Sequence, residues 1–291
     1  MAPLRLLTYN LFLMPKPYMW TDIGTRLPRI TDYIRSVAPG LDVVVLTEVF
    51  RVHDQDFVYK ALASAFPYMA RMQREPWTFL SGGVMILSRY PLDGTQFIQF
   101  TTATQIDSLA SKGALMVRVM RPRLPVTLVA VHLQAWSENA HVRQEQVTEI
   151  RTWLNTHIED KTEPVLLVGD LNQNHSQTKR LFPRDKVARK HPRSEHGSSV
   201  DPRTNTLACW SQGKDYVPEM VDYAVALDGY RKPSELTFYV QRAQTSVPYP
   251  VRVWKYGFQP RSTVLETRDL SDHYPVLIRW HCGARCARAH R

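Results

Sequence analysis

Residues 164–172 read Pro-Val-Leu-Leu-Val-Gly-Asp-Leu-Asn, an apolar run that ends in an acid and an amide. An unbroken run of branched aliphatic residues of this length is typical of a strand buried on both faces. Asp170 and Asn172 are two residues apart, so in an extended chain their side chains point the same way. Alone, Asp-x-Asn most often forms a turn. At a strand end of an α/β sheet it also lies where functional sites are assembled.

Similar polar residues flank other apolar segments of the chain. Taken singly, each is most simply explained as a turn former, a cap or a structural histidine. Together they supply hard oxygen ligands, two histidines and paired acids, which are the groups used in metal-assisted phosphoryl transfer. These residues are Asn10, Glu48, His132, Asp222, Asp272 and His273.

Strands and helices alternate along the sequence. Apolar residues from Ile23 to Val37 recur at helical spacing, and Pro39-Gly40 is expected to end that helix. Further helices are predicted over 55–66 and 142–154, and strands over 4–10, 42–48, 83–88, 114–120, 126–132, 164–169, 221–226 and 274–280. This alternation predicts an α/β domain in which helices cover two packed sheets.

Bulk composition is that of a folded domain. Of the 291 residues, 44% are hydrophobic and 22% are charged, which argues against a disordered chain. The net charge of +10 favours a polyanionic partner, either nucleic acid or an anionic membrane, unless the surface is simply basic. No apolar run is long enough for a transmembrane helix. We expect a soluble protein peripheral to a membrane, secreted if a leader was removed and otherwise cytoplasmic.

Two segments allow more than one interpretation. Residues 181–206 are rich in arginine, lysine and proline, and the stretch is either a solvated or disordered loop or a phosphate-contacting one. Cys282 and Cys286 are four residues apart and are either disulfide-bonded or free.

Four motifs together resemble the endonuclease/exonuclease/phosphatase superfamily, the DNase-I-like fold, over nearly the whole chain. The resemblance implies an α/β four-layer sandwich, in which two packed mixed β-sheets are flanked by helices. It also implies a single catalytic domain over 1–281, followed by a short basic tail over 282–291. The motifs are Leu-Thr-Tyr-Asn at 7–10, Leu-Thr-Glu-Val-Phe at 46–50, Gly-Asp-Leu-Asn at 169–172 and Ser-Asp-His-Tyr-Pro-Val at 271–276.

Finer matches resemble the neutral sphingomyelinase, or sphingomyelinase C, branch. Glu48-Val49-Phe50 is similar to the glutamate segment of sphingomyelinases, whereas nucleases more often carry Gln-Glu there. Residues 82–84, 111–113 and 132–135 are also similar to sphingomyelinase segments. Val168 stands where inositol-polyphosphate phosphatases normally carry an aromatic residue, which disfavours that branch.

The resemblance implies a Mg²⁺-dependent phosphodiesterase that hydrolyses sphingomyelin to ceramide and phosphocholine by in-line attack of water on phosphorus. The alternative is a metal-dependent nuclease on the same fold, for which the net charge of +10 is the support. A non-catalytic relative is disfavoured, because Glu48, Asp170 and His273 are all retained. We expect a lipid substrate at a membrane surface and no obligate protein partner.

The metal and water roles are also implied by the resemblance. Glu48 would bind Mg²⁺, or another divalent cation, with Asn10 beside it. This set suits a cation that prefers oxygen ligands and keeps several waters. Asp170 and Asn172 would hold the attacking water and a phosphate oxygen.

The remaining roles concern protons and phosphate charge. His273 would be the general base, with its ring oriented by either Asp272 or Asp222. His132 would act on the leaving group as a general acid, or would donate to the phosphate. Lys112 would stabilise phosphate charge.

An aromatic segment precedes the last motif. Trp254, Tyr256 and Phe258 are interspersed with Arg252 and Lys255. Sphingomyelinases resemble this in carrying an aromatic hairpin that contacts the bilayer, so we expect these rings to contact a membrane. The alternative is that they pack in the core, where most aromatic rings lie.

Overall fold

A computed structural model describes residues 2–15, 19–73, 80–104, 107, 110–255 and 261–282. Five α-helices lie within these ranges: α1 (Ile23–Val37), α2 (Val52–Leu62), α3 (Ala140–His157), α4 (His175–Leu181) and α5 (Thr206–Gln212). The first eight strands there are β1 (Leu4–Asn10), β2 (Met19–Trp20), β3 (Val43–Thr47), β4 (Tyr68–Arg71), β5 (Met85–Ser88), β6 (Leu92–Gln99), β7 (Gly113–Val119) and β8 (Val126–His132). The others are β9 (Val165–Asp170), β10 (Lys186–Val187), β11 (Arg189–Lys190), β12 (Asp222–Ala226), β13 (Glu235–Val240), β14 (Gln244–Lys255), β15 (Arg261–Asp269) and β16 (Val276–His281).

The strands form two large mixed sheets and one small ribbon. The first sheet has the order β11-β13-β16-β1-β3-β5-β4, and the second has the order β10-β12-β9-β8-β7-β6. Parallel pairs are β1 with β3 and β11 with β13 in the first sheet, and β8 with β9 in the second. The ribbon has the order β15-β14-β2.

Side-chain alternation along the central strands explains why the sheets are layered. Leu6 of β1 and Val45 of β3 share a buried cluster with Val168 of β9, so these faces meet between the two sheets. Their neighbours Leu7 and Val44 point the other way and pack with the buried faces of α1 and α2. The buried residues of α3 pack against the second sheet. The predicted α/β four-layer sandwich is therefore confirmed.

Helix α2 differs from its predicted range. The sequence predicts a helix over 55–66, whereas α2 begins at Val52 and ends at Leu62. Asp54 lies in the first turn, where an acid favours the helix dipole, and it forms an ion pair with Arg51, with Nε 2.6 Å from Oδ2. Pro67 disfavours helical backbone at Phe66, which was the predicted last residue of the helix.

The basic segment between α4 and α5 is partly a sheet edge. Lys186 and Val187 pair with β12, and Arg189 and Lys190 pair with β13, so this stretch joins both large sheets. Such pairing satisfies backbone groups that a free loop would leave to water. The alternative of a disordered loop is therefore wrong for the strand portions, although Arg189 and Lys190 are exposed to solvent.

The remaining structural findings concern the cysteines and the helices. Cys282 is disulfide-bonded and Cys209 is free, whereas Cys286 lies outside the described residues. Positions 283–291 of the predicted basic tail also lie outside them. Among the helices of the described ranges, none has the length and apolar character needed to cross a membrane.

Candidate active site

The polar residues predicted from strand ends meet at one end of the two sheets. Asn10 ends β1 and lies opposite Thr47 at the end of β3, one residue before Glu48. In the second sheet the register pairs Asp170 with His132 on one side and with Asp222 on the other. Strand pairing therefore assembles residues that are far apart in the chain.

Gly169 permits this close assembly. Its φ of +142° is a backbone conformation that side chains disfavour, and an added Cβ would lie 2.0 Å from the carbonyl oxygen of Val131. Only a residue without a side chain lets β8 and β9 approach so closely at this point. The glycine of the Gly-Asp-x-Asn motif thus aligns Asp170 beside His132.

Asn10 joins the acids of the two sheets. Its Nδ2 donates to Glu48 Oε1 at 2.9 Å and to Asp170 Oδ2 at 3.0 Å. Its Oδ1 accepts from the backbone N–H of Phe12 at 3.0 Å, which fixes the orientation of the amide. Asn10 therefore positions two carboxylates through its nitrogen rather than presenting a free oxygen.

Glu48 has the properties of a metal ligand. Its backbone φ is +58°, and its Oε2 is buried and has no hydrogen-bond partner among the described residues. Burial, together with the charges of Asp272 and Asp170, raises the pKa of Glu48 to about 7. Leaving a carboxylate oxygen buried and unpaired is costly. A divalent cation beside Glu48 would satisfy this oxygen, so these residues fit a metal.

A second group of ligand atoms lies next to Glu48. Atoms of Asp170, Asp222 and His273 lie within 4.8 Å of one another, and all three residues are buried. Burial and the charge of Asp222 together raise the pKa of Asp170 to about 6. Asp222 and His273 already bond to each other, which leaves Glu48 and Asp170 as the more available ligands.

His273 is paired with Asp222. The ring Nδ1 lies 2.8 Å from Asp222 Oδ2, and Nε2 lies 3.9 Å from Asp170 Oδ2. Asp272 instead accepts from Ser211 Oγ at 2.8 Å. Burial lowers the pKa of His273, but Asp222, Asp170 and Asp272 outweigh it and raise the pKa well above its usual value. Of the two acids considered from sequence, Asp222 is the one in contact with the ring.

His132 has the opposite electrostatic environment. Its Nε2 lies 3.7 Å from Asp170 Oδ2 and 4.0 Å from Glu48 Oε1. Burial, and then the charges of Lys112 and His273, hold the pKa of His132 well below its usual value. A neutral ring at this position is suited to donating a hydrogen bond.

Lys112 and Asn172 meet at one carbonyl. Asn172 Nδ2 donates to the oxygen of Leu133 at 3.0 Å, and Lys112 Nζ donates to the same oxygen at 3.2 Å. Lys112 is buried and forms an ion pair with Asp107 at 3.1 Å. Asp107 lines the cavity and Lys112 does not. The predicted phosphate lysine thus lies behind the cavity wall.

One arginine that supports the site, Arg26, is not among the site residues predicted from the sequence. Arg26 is fully buried and donates to the carbonyl oxygens of Leu11, Phe12 and Leu270, which ties the segment after β1 to the one before β16. A signal was present, because Arg26 lies on the apolar face of the predicted helix, three residues after Ile23.

A cavity of about 530 Å³ has an apolar mouth and is lined by six of the predicted site residues. These are Glu48, His132, Asp170, Asn172, Asp272 and His273. Trp136 and Val217 line it and are 46% and 66% exposed. On the nearby ribbon, Trp254 of β14 is half-buried and lies opposite Trp20 of β2. Tyr256 and Phe258 lie outside the described residues. Exposed apolar side chains at the mouth are suited to an apolar ligand.

Two packed mixed sheets with buried carboxylates and histidines at their strand ends define a class of enzymes that cleave phosphate esters. The chain belongs to the endonuclease/exonuclease/phosphatase family, whose model matches residues 7–273. It is a phosphodiesterase of this family, and its relatives confirm the sphingomyelinase branch.

Two sphingomyelinases C and one crystal structure illustrate the similarity. A protein of Bacillus cereus is 26% identical, over 94% of this chain and 87% of its own length. Sphingomyelinase C 2 of Leptospira interrogans is 23% identical over 94% of this chain, which spans only 45% of that protein. A beta toxin mutant of Staphylococcus aureus, crystallised with bound magnesium ions, superposes with a TM-score of 0.78 at 21% identity, covering 97% of this chain and 100% of that one.

Proposed function

We propose that the cavity hydrolyses the phosphodiester bond of sphingomyelin in a Mg²⁺-dependent reaction that releases ceramide and phosphocholine. The observation that carries this proposal is the hydrogen-bonded cluster of Glu48, Asn10 and Asp170 beside the His273–Asp222 pair. The sphingomyelinase names of its relatives support the substrate class, a phospholipid.

Glu48 and Asp170 are the residues proposed to hold the cation. The bound cation would supply positive charge to the phosphoryl oxygens, where negative charge develops during the reaction. Asn10 holds both carboxylates in place through its amide nitrogen.

His273 is proposed to take the proton of the attacking water. Asp222 fixes its Nδ1, so Nε2 is the nitrogen left for that water. Of the carboxylates that raise the pKa of His273, Asp170 is a proposed metal ligand, and a bound cation would offset its charge and so weaken its effect on that pKa. We therefore propose that His273 acts as the base when the cation is bound.

His132 is proposed to donate a hydrogen bond to the phosphate on the leaving side. Its lowered pKa favours the neutral ring, which supports this role over that of a charged acid. Asn172 is proposed to contact a phosphate oxygen, because it lies on the cavity wall. Lys112 and Asp107 support that wall from behind through Leu133 and Ala135.

The apolar mouth supports a lipid over a nucleic acid. Trp136 and Val217 are exposed beside the cavity, where they could contact the apolar part of a lipid, and Val217 has no ring on which a base could stack. The decisive experiment compares hydrolysis of sphingomyelin vesicles with nicking of plasmid DNA, each with Mg²⁺. Vesicle turnover without nicking is expected. Nicking without vesicle turnover would assign the chain to the nucleases.

Trp254 is proposed to contact the membrane together with Tyr256 and Phe258. The ribbon around it also exposes Val247 and Val264, which are 66% and 54% exposed. Burying one ring in a membrane interface contributes about 1–2 kcal/mol, so Trp254→Ala should weaken vesicle binding about tenfold.

Hydrolysis of a soluble short-chain substrate should be unchanged in Trp254→Ala, because Trp254 is not among the residues that line the catalytic cavity. Tyr68→Ala, which removes a 40% exposed ring elsewhere, is the matched control. A large fall in Tm with no effect on vesicle binding would mean that Trp254 is a packing residue.

A further inference from the structure

A second cavity, of about 550 Å³, lies beside β13 and β16 near one edge of the first sheet. The segment 193–196, which follows β11, forms one wall, and the residues at the end of β13 form another. Leu277 and Arg279 of β16 complete it. Among the residues that the structure describes, none lines both this cavity and the catalytic one, so the proposed reaction does not use it.

Positive charge dominates this cavity. Arg193, Arg242 and Arg279 line it, and Glu195 is its only acid among the described residues. Six other arginines of the described residues have a carboxylate partner, as Arg151 has in Asp185 at 2.6 Å. Within the portion of the chain that the structure describes, no carboxylate oxygen lies within 4.0 Å of the three lining guanidinium groups.

An aromatic ring forms the floor of the cavity. His191 stacks on Tyr239 with ring centroids 4.2 Å apart and an interplanar angle of 24°. Arg279 lies over the same Tyr239 ring, 4.9 Å from its centroid. The tyrosine thus holds one arginine by a cation–π contact without neutralising its charge.

The wall that carries Arg193 is fixed to the sheet. Ser194 is buried, and its Oγ accepts from the backbone N–H of Val240 at 3.1 Å and donates to the carbonyl of His196 at 2.8 Å. His196 also forms a β-bridge with Val240. These bonds hold the segment without a ligand, so a ligand would not need to order it.

His196 is influenced by the same positive charge. Burial lowers its pKa, and the charges of Arg242 and Lys190 lower it further against the opposing effect of Glu195 and Asp201. Because neighbouring cations disfavour the charged form of His196, the local electrostatic potential there is positive.

We propose that this cavity, which we call the arginine groove, is a second anion site that binds a ligand with at least two negative charges on phosphoryl groups. Three arginines and one glutamate leave a net charge of +2 with His196 neutral, which matches a phosphate dianion. Guanidinium groups suit phosphate oxygens because each offers a planar pair of donors. The same chemistry is available from a free polyphosphate and from an anionic lipid headgroup.

The test measures binding of inorganic tripolyphosphate to the full chain by calorimetry in the presence of EDTA, so that no metal in the catalytic cavity can hold the probe. Arg193→Gln with Arg242→Gln removes two groove charges from exposed side chains. We expect at least a tenfold loss of affinity, from the loss of two charge-assisted contacts. Arg123→Gln with Arg180→Gln removes two exposed charges that do not line the groove, and it should bind like the wild type.

A second arm distinguishes the two sources of the ligand. Sedimentation with phosphatidylcholine vesicles, with and without phosphatidic acid, is repeated for the same variants. If the groove variant binds both tripolyphosphate and phosphatidic acid vesicles more weakly than the wild type, the groove reaches a lipid headgroup. If only its affinity for tripolyphosphate falls, the ligand is a soluble one.

Three outcomes would overturn the proposal. The first is undiminished tripolyphosphate binding by the groove variant. The second is an equal loss in the control variant, which would show that only net charge matters. The third is a wild type that binds duplex DNA but not tripolyphosphate. Both variants should keep the Tm of the wild type, and Arg279→Gln provides an independent groove variant.

Discussion

Glu48 has a positive φ and a buried carboxylate oxygen, Oε2, that has no hydrogen-bond partner among the described residues. A substitution that changes only this end of the side chain therefore tests its role. Glu48→Gln keeps the size and the contact with Asn10 but removes the charge. We expect turnover at ordinary Mg²⁺ to fall by about 10² or more, because a preorganised electrostatic group is lost. Initial rates over a Mg²⁺ titration measure this. Glu145→Gln, on the exposed face of α3, is the matched control, and a near-wild-type rate in Glu48→Gln would refute the assignment.

Asp222 is the second residue whose contact makes a specific prediction. Its negative charge raises the pKa of His273, so Asp222→Asn should lower that pKa. A base must be unprotonated to act, and the acidic limb of kcat/KM should therefore move to lower pH. The maximal rate should fall by about 10²–10⁴, because the ring loses its orienting partner.

Asp272→Asn provides the comparison for this pH profile. Asp272 bonds to Ser211 and does not contact the imidazole, so the acidic limb should move less than in Asp222→Asn. The assignment fails if Asp272→Asn moves the limb further, or if Asp222→Asn leaves it in place.

At the scale of elements, the junction of β8 and β9 depends on Gly169. Gly169→Ala would place a methyl group against the Val131 carbonyl and would require an unfavourable φ. We expect a loss of roughly 3 kcal/mol or more in unfolding free energy, because strain and overpacking both contribute. Activity should fall as well, since Asp170 is the next residue. Denaturant unfolding measures the first effect and vesicle hydrolysis the second.

Gly229→Ala separates strain from crowding. Gly229 also has a positive φ, of +87°, but no neighbouring atom lies within 4 Å of the added Cβ. Gly229→Ala should lower the free energy of unfolding by about 1 kcal/mol and leave the activity unchanged. Equal costs for the two variants would mean that crowding between β8 and β9 is not what requires Gly169.

At the scale of the whole molecule, a buried group of like charges links metal binding to stability. Glu48, Asp170, Asp222 and Asp272 are brought together from β3, β9, β12 and the segment before β16, and burial raises the pKa values of Glu48, Asp170 and Asp272. Because a cation would bind the folded chain alone, Mg²⁺ at 100 times its dissociation constant should raise the Tm by about 5 °C.

Chelation should reverse this rise in Tm and abolish turnover. In Glu48→Gln the rise should be largely lost, because the principal ligand is missing. The Tm is measured by calorimetry. If the Tm of the wild type does not change when Mg²⁺ is added, a metal site at this cluster is contradicted.

The sequence by itself determined eight of the strands, among them β1, β3, β8 and β9, and their polar ends, but it did not predict β2, β4, β6, β10, β11 or β13–β15. Buried strands such as β9 are unbroken aliphatic runs, and α1 follows from its apolar spacing, because both patterns are local and periodic. The motif residues were identifiable for the same reason, since each lies next to its own strand. Helix ends were less certain, as α2 illustrates, because capping and a distant proline compete with periodicity.

Only the tertiary structure decided which of these residues meet. The pairing of His273 with Asp222 rather than Asp272, the burial of Lys112 behind the cavity wall, and the bonds of Arg26 depend on contacts between residues from 5 to 244 positions apart. The arginine groove depends likewise on β11, β13 and β16 meeting near one sheet edge. Contacts of this kind are set by sheet order and register, which depend on how the whole chain packs and not on any single segment.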